Sequence, residues 1–305
     1  MPFPYTNLFY DQLRRLRELS TPVEVYDLQL AVGNTLDGLL PFQSTKNVDY
    51  VIFYKDNTIP VEVYTHIVDE LPTVITTDVV FIIRKVLIRD LSKLMTNRVS
   101  DILYFKKVDK LSTVTDGLTV DILPLFGRHL TDLSINGPLL DVKLSDIFAV
   151  FTKLRFLSVK NLNPGWIHEL LDADACDIQI TVYGEDNSFE DVFSFNPADL
   201  LQLLNKRCDI NVRCENTDNE TLEEQASKIS GYLGPSLPLI NVLPLPNFAV
   251  VLNYDPEPSN PESHLKTACI KFGSRALIEA SGYIQNDVGF NFESDSEASQ
   301  NDDSD

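Results

Sequence analysis

Two short segments, Leu130-Thr131-Asp132-Leu133-Ser134-Ile135 and Leu154-Arg155-Phe156-Leu157-Ser158-Val159, share the form L-x-x-L-x-apolar and start 24 residues apart. Apolar residues at alternate positions mark strands with one buried face. Residues 144–151, between the two segments, place Leu144, Ile147, Phe148 and Phe151 on one side of a helix, and residues 118–126 upstream offer a similar helix. Weaker echoes follow. Residues 177–182 and 209–214 alternate cleanly, Asn196 caps a helix running to Leu204 between them, and residues 248–252 give a last apolar strand. A single strand and helix cannot bury both of their apolar faces. Stacked copies can, sharing one continuous core and aligning their strands in a parallel sheet. The expected fold class is therefore α/β: a helical N-terminal region, then an irregular strand–helix array with a parallel sheet.

The N-terminal region, residues 1–100, carries several helix signals. Leu8, Leu13, Leu16 and Leu19 lie on one helical face. Thr21, Pro22 and Glu24 form a capping sequence for a second helix that stops at Gly33-Asn34. Residues 48–54 fit either a short strand or a buried helical turn. Pro60-Val61-Glu62-Val63-Tyr64 repeats the pentapeptide Pro22–Tyr26 letter for letter. Val63, Ile67 and Leu71 then space as a helix ended by Pro72, and a further helix opens at Asp78 with Val79, Ile82, Ile83, Val86 and Leu87 inward, continuing through Leu91, Leu94 and Met95. The array occupies residues 101–284, with Pro- and Gly-rich surface loops at 231–246 and 255–262. Residues 268–284 add a terminal strand or helix. The last part, 285–305, reads as a disordered acidic tail: from Glu293 onward it holds six acids, no base and four serines. Ser294 and Ser299 each precede an acid by three residues, as in the sites of acidophilic kinases.

Chemistry is hard to find. With 45 acids against 25 bases, the net charge of −20 repels phosphate backbones and anionic membranes, so neither nucleic acid nor membrane is expected as a partner. No apolar run is long enough to span a bilayer, and the N-terminus lacks the basic and apolar regions of a secretory signal. The four cysteines (Cys176, Cys208, Cys214 and Cys269) read as reduced, buried structural thiols of a cytoplasmic or nuclear protein. No metal site is expected: the four histidines are scattered, and C-x-x-C and H-E-x-x-H are absent. Phosphate-binding glycine loops and the G-x-S-x-G elbow are missing too, so no cofactor and no catalytic residues are assigned. One local contrast remains. From Arg84 to Lys110 eight bases meet three acids, which suits either a solvated face or a docking patch for an acidic partner.

Residues 58–95 resemble an F-box. Ile59-Pro60-Val61-Glu62-Val63-Tyr64-Thr65-His66-Ile67 is similar to its opening helix and Asp78-Val79 to the start of its second, although the gap between them is longer than usual and no tryptophan follows. A second placement, residues 5–31, mimics the same two helices with Leu8, Leu13, Leu16 and residues 24–30. The strand–helix array is similar to leucine-rich repeats, without the asparagine expected after the strand motif: Pro138 and Leu162 stand there. The combination resembles the F-box proteins of the large nematode families. That resemblance implies a non-catalytic substrate-recognition adaptor of an SCF-type cullin-RING ubiquitin ligase. The Skp-family adaptor and its cullin complex would dock on Pro60, Val63, Ile67, Leu71 and Val79. A protein substrate would meet Thr131, Asp132, Ser134, Arg155, Ser158 and Lys160, which alternate with buried strand residues or sit at the strand rims. A plain repeat scaffold with no ubiquitin role is the alternative.

Overall fold

The structure is a computed structural model that describes residues 8–32, 37–54, 61–64, 75–76, 78–89, 101–114, 118–137, 139, 142–160, 162–184, 189–215, 221–240, 246–254, 266–280 and 291–294. The chain forms two compact units, one of residues 1–140 with 150–153 and one of residues 141–149 with 154–305. Both are mixed α/β, and their strand pairings are mostly parallel.

The first unit opens with helices α1 (Tyr10–Leu19) and α2 (Pro22–Val32). Thr21 caps α2 as its sequence implies: the Thr21 amide donates to Glu24 Oε2 at 2.8 Å, and Thr21 Oγ1 accepts from the Glu24 amide at 3.3 Å. The buried Gln29 on α2 donates to the Leu39 and Pro41 carbonyls and accepts from the Gln43 amide, which ties the helix to the chain entering the sheet. The strands are β1 (Ser44–Phe53), β2 (Val61–Tyr64), β3 (Val79–Ile88), β4 (Leu103–Tyr104), β5 (Lys110–Thr113) and β6 (Asp132–Ile135). Their order is β6-β5-β3-β1-β2, with β4 also on β3; only the β1–β2 pairing is antiparallel.

Residues 48–53 thus resolve as strand, the start of the helix expected from Pro60 is corrected to strand at Val61–Tyr64, and that of the helix expected from Asp78 to strand at Val79–Ile88; residues 65–74 and 90–100, where those helices would continue, lie outside the described residues. The reason is local. The first PVEVY copy follows Thr21, a residue able to cap, and becomes the start of α2; the second follows Ile59, which has no acceptor and is β-branched. Its Val61 and Val63 pair with Phe53 and Val51 of β1. Residues 79–88 hold six β-branched side chains in ten, an apolar composition broken only at Arg84-Lys85 that suits an interior parallel strand. Such a run satisfies helical spacing by accident. The helix expected over 118–126 is a 3-10 helix at Val120–Leu125, with Pro124 inside it.

The second unit starts with α3 (Leu144–Val150) and carries β7 (Phe156–Val159), α4 (Trp166–Asp172), β8 (Gln179–Gly184), α5 (Phe189–Val192), α6 (Pro197–Asn205), β9 (Asp209–Glu215), α7 (Leu222–Leu233), β10 (Asn247–Tyr254), β11 (Lys266–Gly273), α8 (Arg275–Ala280) and β12 (Asn291–Ser294). Strands β7 to β10 lie side by side in chain order, all parallel, and β11 and β12 close the edge as antiparallel strands. Register puts Leu157, Ile180, Ile210 and Phe248 in one row and Val159, Val182, Val212 and Val250 in the next. Each is at most 1% exposed. The crossovers contribute Trp166, Ile167 and Leu170 from α4, Leu200, Leu203 and Leu204 from α6, and Ala226, Ile229 and Leu233 from α7 to the buried interior. Trp166 Nε1 donates to the Val192 carbonyl at 2.9 Å, and its ring meets Phe195 at 5.8 Å, which in turn meets Phe248 at 5.9 Å.

The turns before β8 and β9 stack as well. Asp174, Asp177 and Arg207 take positive φ, Lys206 pairs with Asp174 at 2.7 Å, and Arg207 pairs with Asp177 at 3.2 Å. Three expectations for the later chain change. Strand β12 lies inside the region read as a disordered tail, because Phe292 alternates with polar neighbours and its backbone pairs with Ala268 of β11; the remainder of the tail lies outside the described residues. Helix α7 runs into the expected 231–246 loop, set by a Thr221–Glu224 capping box. The thiols also divide, since Cys208 is buried and Cys176 is exposed.

If the rows of inward side chains hold the second unit, Ile210→Ala should destabilise it by about 2–5 kcal/mol, the cost of emptying a filled core site. Urea denaturation followed by the fluorescence of the single, buried Trp166 measures this; a midpoint equal to wild type would contradict it.

Candidate partner-binding face

In the first unit, inward alternation on five neighbouring strands fixes what points the other way. Val51 and Phe53, Val86 and Ile88, Leu111, and Leu133 and Ile135 are buried. Their neighbours in sequence form two rows across the opposite face. One row is Tyr64, Tyr50, Lys85, Lys110 and Asp132; the other is Glu62, Ile52, Leu87, Ser112 and Ser134. Lys110 is exposed and the other nine are half-buried. Just beyond the rows, the Arg89 guanidinium lies over the Tyr54 ring at 5.2 Å.

The polar groups on this face hold one another. Lys110 Nζ donates to Asp132 Oδ1 at 2.8 Å, and Thr131 Oγ1 donates to Asp132 Oδ2 at 2.6 Å and reaches the Asp109 carbonyl at 3.1 Å. Burial opposes ionisation of Asp132, but the hydrogen bonds from Lys110 and Thr131 outweigh it and hold its pKa below the ordinary carboxylate value. The same bond raises the Lys110 pKa. Arg84 pairs with Asp109 at 2.9 Å. At the other end of the rows, Tyr64 donates to Glu62 Oε2 at 2.6 Å, and chiefly for that reason its phenol is pushed up to about 12. The Lys85 side chain, by contrast, forms no hydrogen bond or ion pair among the described residues, although its charge acts on Asp132.

The residues anticipated for a substrate meet different fates. Thr131, Asp132 and Ser134 come together at the β6 end of this face. In the second unit, Arg155 and Lys160 flank β7 at its rims. Ser158 is corrected: it is only 3% exposed, beside Thr181 on the neighbouring strand, and offers no contact surface. Of the residues anticipated for the adaptor, the two that are described lie in strands. Val63 is fully buried in β2 and Val79 is half-buried in β3, while Pro60, Ile67 and Leu71 lie outside the described residues. Sequence reading missed Tyr50, Ile52, Lys85 and Leu87, because β1 and β3 were left undecided or given a helical period. Their signal was the position between strictly buried Val and Phe or Ile residues.

Elsewhere, no group of three His, Cys, Asp or Glu residues is placed to hold a metal ion among the described residues, and no described helix is long and apolar enough to cross a membrane. A groove of about 480 Å³ runs beside α1 and α2, lined by Leu16, Leu28 and Ala31 with Glu24, Asp27 and Lys106 at its rim. Compared with known proteins, the chain matches no family model, no curated protein and no solved structure.

The Lys110–Asp132 pair gives a signed pH prediction. A carboxylate with a depressed folded pKa stabilises fully above its unfolded value of about 3.9 and loses that contribution as pH falls through the folded value. Being partly exposed, the pair is worth only ~0.2–1 kcal/mol. Asp132→Asn should therefore lower the urea midpoint slightly near neutral pH, and the gap to wild type should close as the pH is taken down through the carboxylate range. A gap that persists in acid would contradict the assignment.

Proposed function

We propose that this chain is a non-catalytic, intracellular protein-binding scaffold. Its stacked strand–crossover units resemble leucine-rich repeats, and the partner binds the two-row strand face of the first unit. One observation carries the reading: aromatic, aliphatic and charged side chains, nearly all half-buried, stand in register across five strands. A face that mixes tyrosines, aliphatic centres and cations suits a protein partner, because such surfaces offer large contact area with few rotatable bonds.

A second reading is favoured by a separate observation. Phe9 is 77% exposed and Leu19 70%, and Leu30 of α2 is exposed too, so the two N-terminal helices offer apolar side chains to solvent. Under the F-box resemblance, now placed on α1 and α2 instead of residues 58–95, these would receive the Skp-family adaptor of a cullin-RING ligase, and the strand face would hold the substrate.

One experiment separates the two. The full-length chain is made with a photo-crosslinking residue at Leu87 or at Leu19 and incubated with purified Skp adaptor and with cell extract. The scaffold reading predicts protein adducts from position 87, suppressed by Ile52→Arg, and no adaptor adduct from position 19. An adaptor adduct from position 19 would establish the ligase reading. Absence of adducts from position 87 would remove the strand face from both.

A further inference from the structure

We infer that the partner of the strand face presents an acidic extended segment, with an aliphatic side chain seated between Ile52 and Leu87 and a carboxylate on Lys85. The inference rests on the protein-binding reading of that face and names the chemistry it selects. Along β3, Lys85 and Leu87 stand at alternate positions on one side of the strand, and Arg89 follows just past its end. Ile52 stands in register beside Leu87, and Tyr50 beside Lys85. The aliphatic pair thus lies next to Lys85 along the strand, with the Tyr50 ring of β1 alongside.

Charge complementarity chooses the sign of the partner. Within the rows, Lys85 and Lys110 are adjacent in register and share the one carboxylate of Asp132, which Lys110 holds at 2.8 Å. Lys85 is left between a tyrosine and a lysine, half-buried and in no ion pair among the described residues. Two like charges side by side on neighbouring strands are unfavourable, and an incoming carboxylate relieves that repulsion. The other acid of the rows, Glu62, is engaged by Tyr64 at 2.6 Å. Both carboxylates of the rows are thus already engaged, Asp132 by Lys110 and Glu62 by Tyr64, which leaves Lys85 as the cation for an incoming acid in a chain whose net charge is −20. At physiological ionic strength the Debye length is about 8 Å, so a bound segment responds to this local balance and the distant acids are screened. The spacing of alternate residues along a strand, roughly 6.5 Å, matches an extended partner whose own side chains alternate acid and aliphatic.

The test uses the full-length protein and two fluorescein-labelled peptides of equal length, one alternating glutamate with leucine and one alternating lysine with leucine, read by fluorescence anisotropy in about 0.15 M salt. The glutamate peptide is expected to bind. Lys85→Glu and Leu87→Ser should each weaken it by about tenfold or more, the effect of removing a central anchor, and Lys46→Glu, an exposed change away from the rows, should leave it unaltered. Unchanged circular dichroism confirms that the variants are folded. Equal or tighter binding of the lysine peptide, or no effect of Lys85→Glu, would overturn the inference. So would a dimer of the chain that Leu87→Arg dissociates, since the occupant would then be a second copy. If the glutamate peptide fails but crosslinks from position 87 persist, the acidic chemistry falls and the binding face stands. If both fail, the face itself falls.

Discussion

The rest of the second unit depends on two rows of side chains that no single repeat could bury. Leu157, Ile180, Ile210 and Phe248 form one row, and Val159, Val182, Val212 and Val250 the other, each residue nearly or fully withdrawn from solvent. Removing such a side chain from water is worth about 1.5–3 kcal/mol, but only when a neighbouring strand and a crossover helix stand on either side of it. Strand n therefore needs strand n+1. That requirement explains why consecutive strands are neighbours in space, why the pairings are parallel, and why antiparallel β11 and β12 take over where the repeat stops.

The same constraint writes the surface. A strand that must point every second residue inward has no freedom over the residues between. On β1, β3, β5 and β6 of the first unit those residues are a tyrosine, an isoleucine, a leucine, two lysines, two serines and an aspartate. They form a face by consequence of the core and are chemically specific by virtue of their identity. The edge strand β2 extends it with Glu62 and Tyr64. Function, on this account, sits on a scaffold ordered by register, with Lys85, in no ion pair among the described residues, as its least satisfied element.

How much of this was legible beforehand varied with the kind of signal. The strands at 132–135 and 156–159 were plain because alternation of period two admits no helical reading. Helix α2 was plain because Thr21 and Glu24 cap it. The strand pattern of β8 and β9 was visible too, but not its register: the shared Cys-Asp-Ile at 176–178 and 208–210 suggests aligning Asp177 with Asp209, whereas Asp209 pairs with Gln179. A shift of two keeps every inward residue inward, so the alternating pattern alone could not select it. The harder failure was at β2 and β3, where a helical spacing gave way to strands at Val61–Tyr64 and Val79–Ile88. PVEVY is the sharpest case. One five-residue string is a helix start behind Thr21 and a strand beside β1, so its structure is set by the preceding cap and the available partner, and neither lies within the string. Most of the candidate site hung on that region, which is why Asp132 and Ser134 were found and Tyr50, Ile52, Lys85 and Leu87 were not.

The most direct test of the shared rows is hydrogen exchange on a single-rung variant. Val182→Ala, in the middle of the second row, should leave the fold intact yet lower amide protection in β7 and β9 as well as in β8, because each strand's burial depends on its neighbours. Loss of protection confined to β8 would mean that the strands are stabilised one at a time, and would contradict the account.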